Sequence, residues 1–216
     1  MNVILFGPPG AGKGTQANEL VKRFNLHKVS TGDLLRNEMK NNTSLGVKIT
    51  SYMDKGILVS DDIIENLIIK ILNKKTYFNN LIFDGIPRNL KQAKNLDLLL
   101  KNTNQKISCV LSLDIDKDSI IKRILGRQIC SKCNLTFNEF FNPPTSTNHS
   151  CDNKYLVKRS DDKKDTVVNR FETYRNTTLP ILNYYKDQKL LHEIDGKAEI
   201  HHIFNEIRTI IASLET

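Results

Sequence analysis

Short apolar runs alternate with amphipathic segments along most of this chain, a pattern typical of strands that alternate with helices. The runs predict strands over 2–6, 81–84, 107–113 and 190–194. The run over 107–113 is almost wholly apolar, as in a central parallel strand that is covered on both faces. We therefore predict an α/β fold with an open parallel sheet flanked by helices, whose ligands bind at the carboxyl ends of the strands.

Periodic apolar positions predict the helices, which lie over 15–24, 34–39, 45–54, 61–73, 89–101, 117–126, 163–187 and 198–214. The polar and glycine residues at 30–33 are typical of a helix start. Pro180 is expected to bend the long helix over 163–187. Residues 128–158 break the alternation, because paired cysteines, clustered phenylalanines and two adjacent prolines do not suit a crossover helix. This stretch predicts a small β insertion.

A glycine-rich loop connects the first predicted strand to the first predicted helix. It reads GPPGAGKGT over 7–15 and matches the phosphate-binding pattern G-x-x-x-x-G-K, with Gly14 separating Lys13 from the hydroxyl residue Thr15. Glycine lets backbone N–H groups approach phosphate oxygens, and the positive end of the next helix faces the same anion. Lys13 can reach the transferred phosphate, and Thr15 lies where a Mg²⁺ ligand is expected. The loop therefore predicts a P-loop site for a nucleoside triphosphate.

Length and composition narrow the class of protein. A chain of 216 residues suits one main domain with small insertions. Neither a membrane-spanning run nor a signal sequence is apparent, so we expect a cytoplasmic protein without a membrane partner. Three of the four cysteines are clustered, which favours metal ligation in a reducing compartment over a disulfide framework. The formal charge of +8 permits nucleotide or nucleic-acid partners, but much of it is expected to be solvated lysine.

The positions of the arginines are more informative than the net charge. The chain has 23 lysines and 9 arginines, so lysine is its ordinary surface cation. The planar guanidinium group binds phosphate through two hydrogen bonds, which an ammonium group cannot do. Six arginines fall in predicted loops or helix ends around the phosphate loop, namely Arg36, Arg88, Arg123, Arg127, Arg159 and Arg170. Arg23, Arg175 and Arg208 are expected at ordinary surface positions.

The ordered motifs of the chain resemble those of the adenylate kinase family, in its bacterial-type form with a long lid. They are the loop GPPGAGKGTQ, the segment STGDLLR over 30–36, the strand end DGIPR over 84–88, Gly126-Arg127 before the insertion, RSDD over 159–162, and Arg170. Ile86 departs from the family, in which phenylalanine is usual, and only local repacking is expected there. The resemblance covers essentially the whole chain.

This resemblance implies reversible, Mg²⁺-dependent transfer of the terminal phosphoryl group of ATP to AMP, which gives two ADP and maintains the balance of adenine nucleotides. It also implies a core P-loop domain (1–29, 60–126 and 164–216), a small helical AMP-binding insertion (30–59) and a β-rich lid (127–163). Two pieces, the AMP-binding insertion and the lid, are expected to move. The acceptor is a phosphate, so the protein needs no nucleophile of its own, and no Ser-His-Asp set is apparent.

The resemblance further implies which residues contact each nucleotide. The catalytic set comprises Lys13, Arg88, Arg123, Arg127, Arg159 and Arg170. The ATP-binding residues are Gly10, Ala11, Gly12, Lys13, Gly14, Thr15, Arg123, Arg127, Thr136, Phe137 and Lys197. The AMP-binding residues are Thr31, Arg36, Ile57, Leu58, Val59, Gly85, Ile86, Pro87, Arg88, Gln92, Arg159 and Arg170. Asp33 and Asp84 are associated with Mg²⁺.

The cysteines of the insertion predict a structural zinc site. Cys130 and Cys133 form a C-x₂-C pair, and Cys151 follows after 17 residues, a separation typical of zinc ribbons. Metal-bearing relatives place the fourth ligand three residues later, where this chain has Lys154, so His149 or Asp152 is expected to replace it. The alternative is a lid without metal that packs through aromatic side chains. Cys109 lies in a predicted strand and is expected in the core.

Several alternatives remain open at this level. Thr31 and Gln92 favour AMP over the pyrimidine substrates of a UMP/CMP kinase, because Gln92 offers both a donor and an acceptor to adenine. A nucleic-acid-binding module would require aromatic residues interleaved with exposed cations, so we expect no nucleic-acid partner. Asp161-Asp162 fits either acid at a helix N-terminus or anchors for lid arginines. The family resemblance implies a monomer whose partners are ATP, AMP and ADP.

Overall fold

The structure, a computed structural model, describes residues 1–40 and 43–214. Parts of the predicted segments 30–59 and 164–216 fall on 41–42 and 215–216, which lie outside the described residues. The strands are β1 (Asn2–Phe6), β2 (His27–Ser30), β3 (Leu81–Asp84), β4 (Cys109–Asp114), β5 (Arg127–Cys130), β6 (Thr136–Asn138), β7 (Leu156–Val157) and β8 (Leu191–Asp195). The helices are α1 (Lys13–Phe24), α2 (Thr31–Lys40), α3 (Ser44–Asp54), α4 (Asp61–Leu72), α5 (Leu90–Asn102), α6 (Lys117–Leu125), α7 (Lys164–Thr173), α8 (Ile181–Asp187) and α9 (Ile200–Ser213).

The central sheet is parallel throughout. Across the described ranges it has five strands in the order β2-β3-β1-β4-β8. Consecutive residues of a strand point to opposite faces, so Ile4 packs in one buried cluster with α4, α5 and α8, whereas Leu5 packs in another with α1, α6 and α9. Helices thus cover both faces, which confirms the predicted α/β architecture and places the strands' carboxyl ends along one open edge.

The insertion after α6 forms its own small sheet. Strands β6, β5 and β7 pair antiparallel in that order, which confirms the predicted β insertion. Within the part of the chain described, no helix combines the length and apolar character needed to cross a lipid bilayer.

The structure corrects three details of the predicted elements. The prediction had no strand at His27–Ser30, because this edge strand carries polar residues and pairs with β3 alone. The helix predicted from residue 15 begins at Lys13, directly after the phosphate-loop glycine Gly12. The single helix predicted over 163–187 is divided into α7, a π-helical segment at Tyr174–Thr178 and α8, which begins just after Pro180.

Candidate active site

A large cavity lies at the carboxyl edge of the central sheet and has a volume of about 1450 Å³. All six arginines singled out by the sequence line it, and they come from six different segments between α2 and α7. Arg23, Arg175 and Arg208 lie exposed on the surface, as expected. A concentration of guanidinium groups in one cavity is suited to a ligand with several negative charges.

The floor of the cavity is the glycine-rich loop. Gly10 has a φ of +83° and lies so close to α6 that a Cβ would stand 2.8 Å from Ile124 Cγ1, so only glycine fits there. Gly12, at a φ of +96°, precedes α1, and no side chain caps that helix N-terminus. The first backbone N–H groups of α1 therefore remain available to an anion in the cavity.

Lys13 is the cation nearest this loop. Its Nζ donates hydrogen bonds to the carbonyl oxygens of Gly7 and Pro8, at 2.7 and 2.9 Å. Burial and, to a smaller extent, the neighbouring arginines lower the pKa of Lys13 to about 8, although the charge of Asp84 acts in the opposite direction. A phosphate group bound beside Lys13 would therefore stabilise the charged ammonium form.

Arg88 is held by its backbone as well as by its side chain. Its N–H donates to Gln92 Oε1 at 2.8 Å, and its carbonyl oxygen accepts from Thr178 Oγ1 at 2.9 Å. Its Nε donates to the Gly85 carbonyl oxygen at 2.8 Å, which leaves the two terminal nitrogens of the guanidinium to face the cavity. Burial, together with the charge of Arg170, lowers the pKa of Arg88 to about 10.

Arg36 and Arg159 are far apart in the sequence, but both line the cavity. Arg36 donates to Asp33 Oδ1 at 2.6 Å, and Lys28 Nζ lies 3.7 Å from the other oxygen of Asp33. Burial opposes the charged form of Asp33, but Arg36 and Lys28 outweigh it and hold the pKa of the carboxyl below its usual value. Arg159 has a buried Nε with no partner among the described residues, and burial lowers its pKa to about 9. An unpaired buried donor of this kind indicates a missing acceptor.

Asp161 and Asp162 hold two of the arginines. Arg127 makes a two-pronged ion pair with Asp162, with its Nε at 2.8 Å from Oδ2. Arg170 donates to Asp161 Oδ2 at 2.9 Å. Both carboxylate side chains are almost completely buried, at 1% and 7% exposed. Of the two interpretations that the sequence left open, the structure shows the arginine anchors.

The predicted AMP-binding residues divide into those that line the cavity and those that lie behind its wall. Ile57, Leu58, Val59, Gly85, Pro87 and Gln92 line it. Thr31 and Ile86 are buried at 1% and 5% exposed, and Thr31 Oγ1 donates to the Gly85 carbonyl oxygen at 2.8 Å. Thr31 therefore shapes the wall through the backbone of Gly85 in this structure.

The predicted ATP-binding residues outside the phosphate loop come from α6, the insertion and the loop after β8. Arg123 donates to the Gly196 carbonyl oxygen at 2.8 Å, and its guanidinium carbon lies 5.5 Å from the centre of the Phe141 ring. Lys197 and Thr136 also line the cavity. Phe137 is 4% exposed and packs against the His149 ring, with 4.7 Å between ring centres.

The two candidate Mg²⁺ residues differ in their partners. Asp33 is committed to Arg36 and Lys28. Asp84, at the end of β3, lines the cavity beside the phosphate loop, with Oδ2 3.8 Å from where a Cβ on Gly14 would stand. Its carboxylate accepts no hydrogen bond from any described residue, and oxygen is the donor type that Mg²⁺ prefers. Asp84 therefore fits the predicted ion better than Asp33 does.

In the insertion, the candidate zinc ligands lie together. The sulfur atoms of Cys130, Cys133 and Cys151 and a ring nitrogen of His149 all lie within 4.8 Å of one another. His149 is 7% exposed, and neither of its nitrogens has a hydrogen-bond partner among the described residues. Asp152 instead accepts from the Lys154 N–H at 2.9 Å and pairs with its ammonium group. Of the two alternatives for the fourth ligand, His149 is therefore the one placed with the thiols.

Sequence reasoning missed the residues that orient the site from behind. Thr178 and Asp61 both support residues of the AMP-binding set, and Asp61 was interpreted merely as a helix start. Their partners are 90 and 31 residues away in the chain, so no local pattern could have found them.

Comparison with known proteins gives a uniform result. The sequence model of the family described as adenylate kinase matches residues 5–190. Among curated relatives, the adenylate kinase of Pelagibacter ubique is 46% identical over 211 residues, which cover 98% of this chain and 99% of the relative. That of Enterococcus faecalis is 42% identical over 213 residues, with 98% and 99% covered. That of Methanocella arvoryzae is 41% identical over 216 residues, with 99% and 100% covered.

Proposed function

The chain belongs to the adenylate kinase family and is a nucleoside monophosphate kinase, and we propose that it transfers the terminal phosphoryl group of ATP to AMP within the arginine-lined cavity. The observation that carries this assignment is the convergence of six arginines and the uncapped end of α1 on one cavity. Two nucleotides bring more negative charge than a single phosphate, which accounts for so many cations in one place.

ATP occupies the end of the cavity formed by the phosphate loop and the lid. The N–H groups of the loop and of α1, over 10–15, bind its phosphates, and Lys13 turns from its loop carbonyls to the terminal phosphate. Arg123 lies against the adenine ring, and Lys197 contacts the base through its backbone. Thr136 and Phe137 complete this end from the lid.

AMP occupies the other end, between Arg88 and the apolar residues 57–59. Arg36 and Arg88 bind its phosphate, and Arg88 is already held by three hydrogen bonds, one from its Nε and two through its backbone. Ile57, Leu58 and Val59 line the base. Gln92 binds the Watson–Crick edge of adenine.

The reaction requires alignment and charge neutralisation. A phosphate oxygen of AMP attacks the terminal phosphorus of ATP, the bond from that phosphorus to the bridging oxygen breaks, and ADP leaves with the electron pair. Arg127, Arg159 and Arg170 stabilise the oxygens of the transferred group, and the buried unpaired Nε of Arg159 gains its acceptor. Asp161 and Asp162 hold Arg127 and Arg170 in place until the phosphates arrive.

Adenylate kinases use Mg²⁺, which neutralises phosphate charge when bound. Asp84 would hold it through its water ligands, and the free carboxylate oxygens at the end of β3 support this role. Asp33 contributes through its charge and keeps Arg36 oriented.

Cys130, Cys133, Cys151 and His149 would hold a structural zinc ion in the lid. This set of three sulfurs and one imidazole nitrogen suits a closed, tetrahedral site. The lid (127–163) and the AMP-binding insertion (30–59) close over the core and exclude water, which would otherwise compete with AMP as acceptor.

We further propose a cytoplasmic monomer that binds neither nucleic acid nor membranes. Sedimentation of the purified chain at micromolar concentration is expected to give the mass of one copy. Titration with single- and double-stranded oligonucleotides is expected to give no salt-dependent binding.

The test of the activity is a coupled assay of ADP formation from ATP with AMP, CMP, UMP or GMP, with and without magnesium. Fast turnover with AMP that depends on magnesium is the expected result. Preference for CMP or UMP would assign a pyrimidine kinase, and correctly folded protein that makes no ADP would overturn the proposal.

A further inference from the structure

The Gln92 side chain is held from two sides by groups of opposite polarity. Its Oε1 accepts from the Arg88 N–H at 2.8 Å, and its Nε2 donates to Asp61 Oδ1 at 2.7 Å. A backbone N–H can only donate and an ionised carboxylate can only accept. Rotation of the amide by 180° would therefore place N–H against N–H and oxygen against oxygen, so the structure allows a single orientation of this amide.

Asp61 is itself fixed at the first position of α4. The same Oδ1 atom accepts from Asn89 Nδ2 at 2.9 Å, while Asn89 Oδ1 accepts from the Gln92 backbone N–H at 2.8 Å and caps α5. Lys91 Nζ lies 3.9 Å from the other oxygen of Asp61. The Asp61 side chain is 23% exposed and Gln92 is 6% exposed, so the contact between them lies largely out of water.

Two hydrogen-bonding positions of the Gln92 amide remain free. Glutamine offers two N–H donors and two acceptor lone pairs, of which Asp61 and Arg88 each occupy one. Among the residues that the structure describes, one donor and one acceptor of this amide are left without a partner, and Gln92 lines the cavity. The free pair matches an edge that carries a bare ring nitrogen next to an amino group, as adenine does. On an edge that carries a ring N–H next to a carbonyl oxygen, as in hypoxanthine and guanine, the same pair would place donor against donor and acceptor against acceptor.

We propose that Asp61 is a specificity-determining positioning residue: it fixes the polarity of the Gln92 amide, so that the monophosphate site accepts 6-aminopurines and rejects 6-oxopurines. The proposal rests on the proposed function, because it takes Gln92 as the residue that contacts the acceptor base. Asp61 acts through Gln92 and does not itself contact substrate. A site that holds buried polar groups in fixed orientation discriminates strongly, since the wrong partner leaves them unpaired.

The experiment compares AMP with inosine monophosphate, which differs at the 6-position and at N1 but lacks the 2-amino group of guanine. The quantity measured is the ratio of kcat/KM for AMP to kcat/KM for inosine monophosphate. In Asp61→Ala the ratio is expected to fall at least about tenfold, chiefly through KM, because the amide can turn. Asp61→Asn keeps an acceptor oxygen for Gln92 and is expected to retain the ratio of the unmodified protein.

The chain offers a matched control one turn further along the same two helices. Glu65 accepts from Asn95 Nδ2 at 3.1 Å, so Glu65→Ala removes the same kind of bond between α4 and α5 away from Gln92. It is expected to leave the ratio unchanged. If Asp61→Ala does not fold, Asp61→Ser takes its place, because serine suits the first turn of a helix but is too short to reach the amide.

Two results are clearly distinguishable. If the unmodified protein makes no ADP from ATP and AMP, the proposed function fails. If the unmodified protein is active but Asp61→Ala or Asp61→Ser keeps the full ratio, or if Glu65→Ala lowers it equally, Asp61 is merely structural and this inference is overturned.

Discussion

At Arg88 three neighbours fix the aim of one guanidinium group before any substrate is bound. Gln92 and Thr178 hold the backbone on either side, and Gly85 accepts from Nε. What remains free is the planar pair of terminal nitrogens. This geometry explains why an arginine is needed where a lysine would supply the same charge.

We therefore expect Arg88→Lys to lower kcat at least about tenfold at saturating AMP, because an ammonium group presents its N–H donors from a single nitrogen and cannot reproduce the planar fork. Steady-state assays at saturating AMP measure the effect. Arg175→Lys, at an exposed position, is the matched control and should be neutral. An unchanged kcat in Arg88→Lys would show that the fork of the guanidinium is not required.

Lys13 gives the site a dependence on pH. Because burial lowers its pKa to about 8, the ammonium form is lost as the pH rises through that value in the free enzyme. We expect kcat/KM for ATP to fall above about pH 8, whereas kcat at saturating ATP falls only at higher pH, since bound phosphate favours the charged form. In Lys13→Arg any residual activity should lack this limb, and a flat profile up to pH 9.5 in the unmodified protein would contradict the assignment.

The elements show where sequence patterns suffice and where they do not. The apolar runs of β1, β3 and β4 identify strands in the interior of the sheet, the run at 190–194 identifies the edge strand β8, and the helices follow from periodicity. Strand β2 was missed because its sequence is polar and it becomes a strand through its pairing with β3, which no local pattern shows. The phosphate loop and the six arginines could be found because glycine and arginine are distinctive residue types. Asp61 and Thr178 could not, because ordinary residue types reach partners that are distant in the chain.

At the scale of elements, the cysteine and histidine cluster of the lid leads to a prediction about zinc content. After expression with sufficient metal, the purified protein is expected to hold about one equivalent of zinc. His149→Ala should lower the zinc content and the thermal stability of the lid, because one of the four ligands is lost. Asp152→Ala is the control, since Asp152 caps a turn instead of facing the thiols. A zinc content below about a tenth of an equivalent in the unmodified protein would exclude the site.

At the scale of the whole molecule, the ion pairs of Asp161 and Asp162 connect the first strand of the insertion to α7. Asp162 pairs with Arg127 at the start of β5, and Asp161 pairs with Arg170 in α7. These carboxylates also offset repulsion among the clustered guanidinium groups while no phosphate is present. We therefore expect substrate phosphates to replace these carboxylates as partners of the guanidinium groups.

Asp162→Ala is expected to lower the free energy of unfolding by about 1–3 kcal/mol. The loss stays below that of a fully buried pair, because Arg127 lines the cavity and can regain water. Urea denaturation measures it, and the loss should shrink at saturating ATP, whose phosphates replace the carboxylate. Asp165→Ala, at an exposed position in the first turn of α7, is the control. An equal loss in both variants would assign the effect to the helix end instead of the ion pair.

The six cavity arginines come from α2, the loop after β3, α6, β5, the segment after β7, and α7. A fragment that contains only two of these segments lacks most of the arginines, so we expect it to have no catalytic activity. Catalytic activity therefore reports whether the whole fold is intact. During denaturation, we expect activity to be lost at or before the point at which the helical circular dichroism signal disappears. Protein that remains active after heating or limited proteolysis must therefore have kept all six segments in their native arrangement.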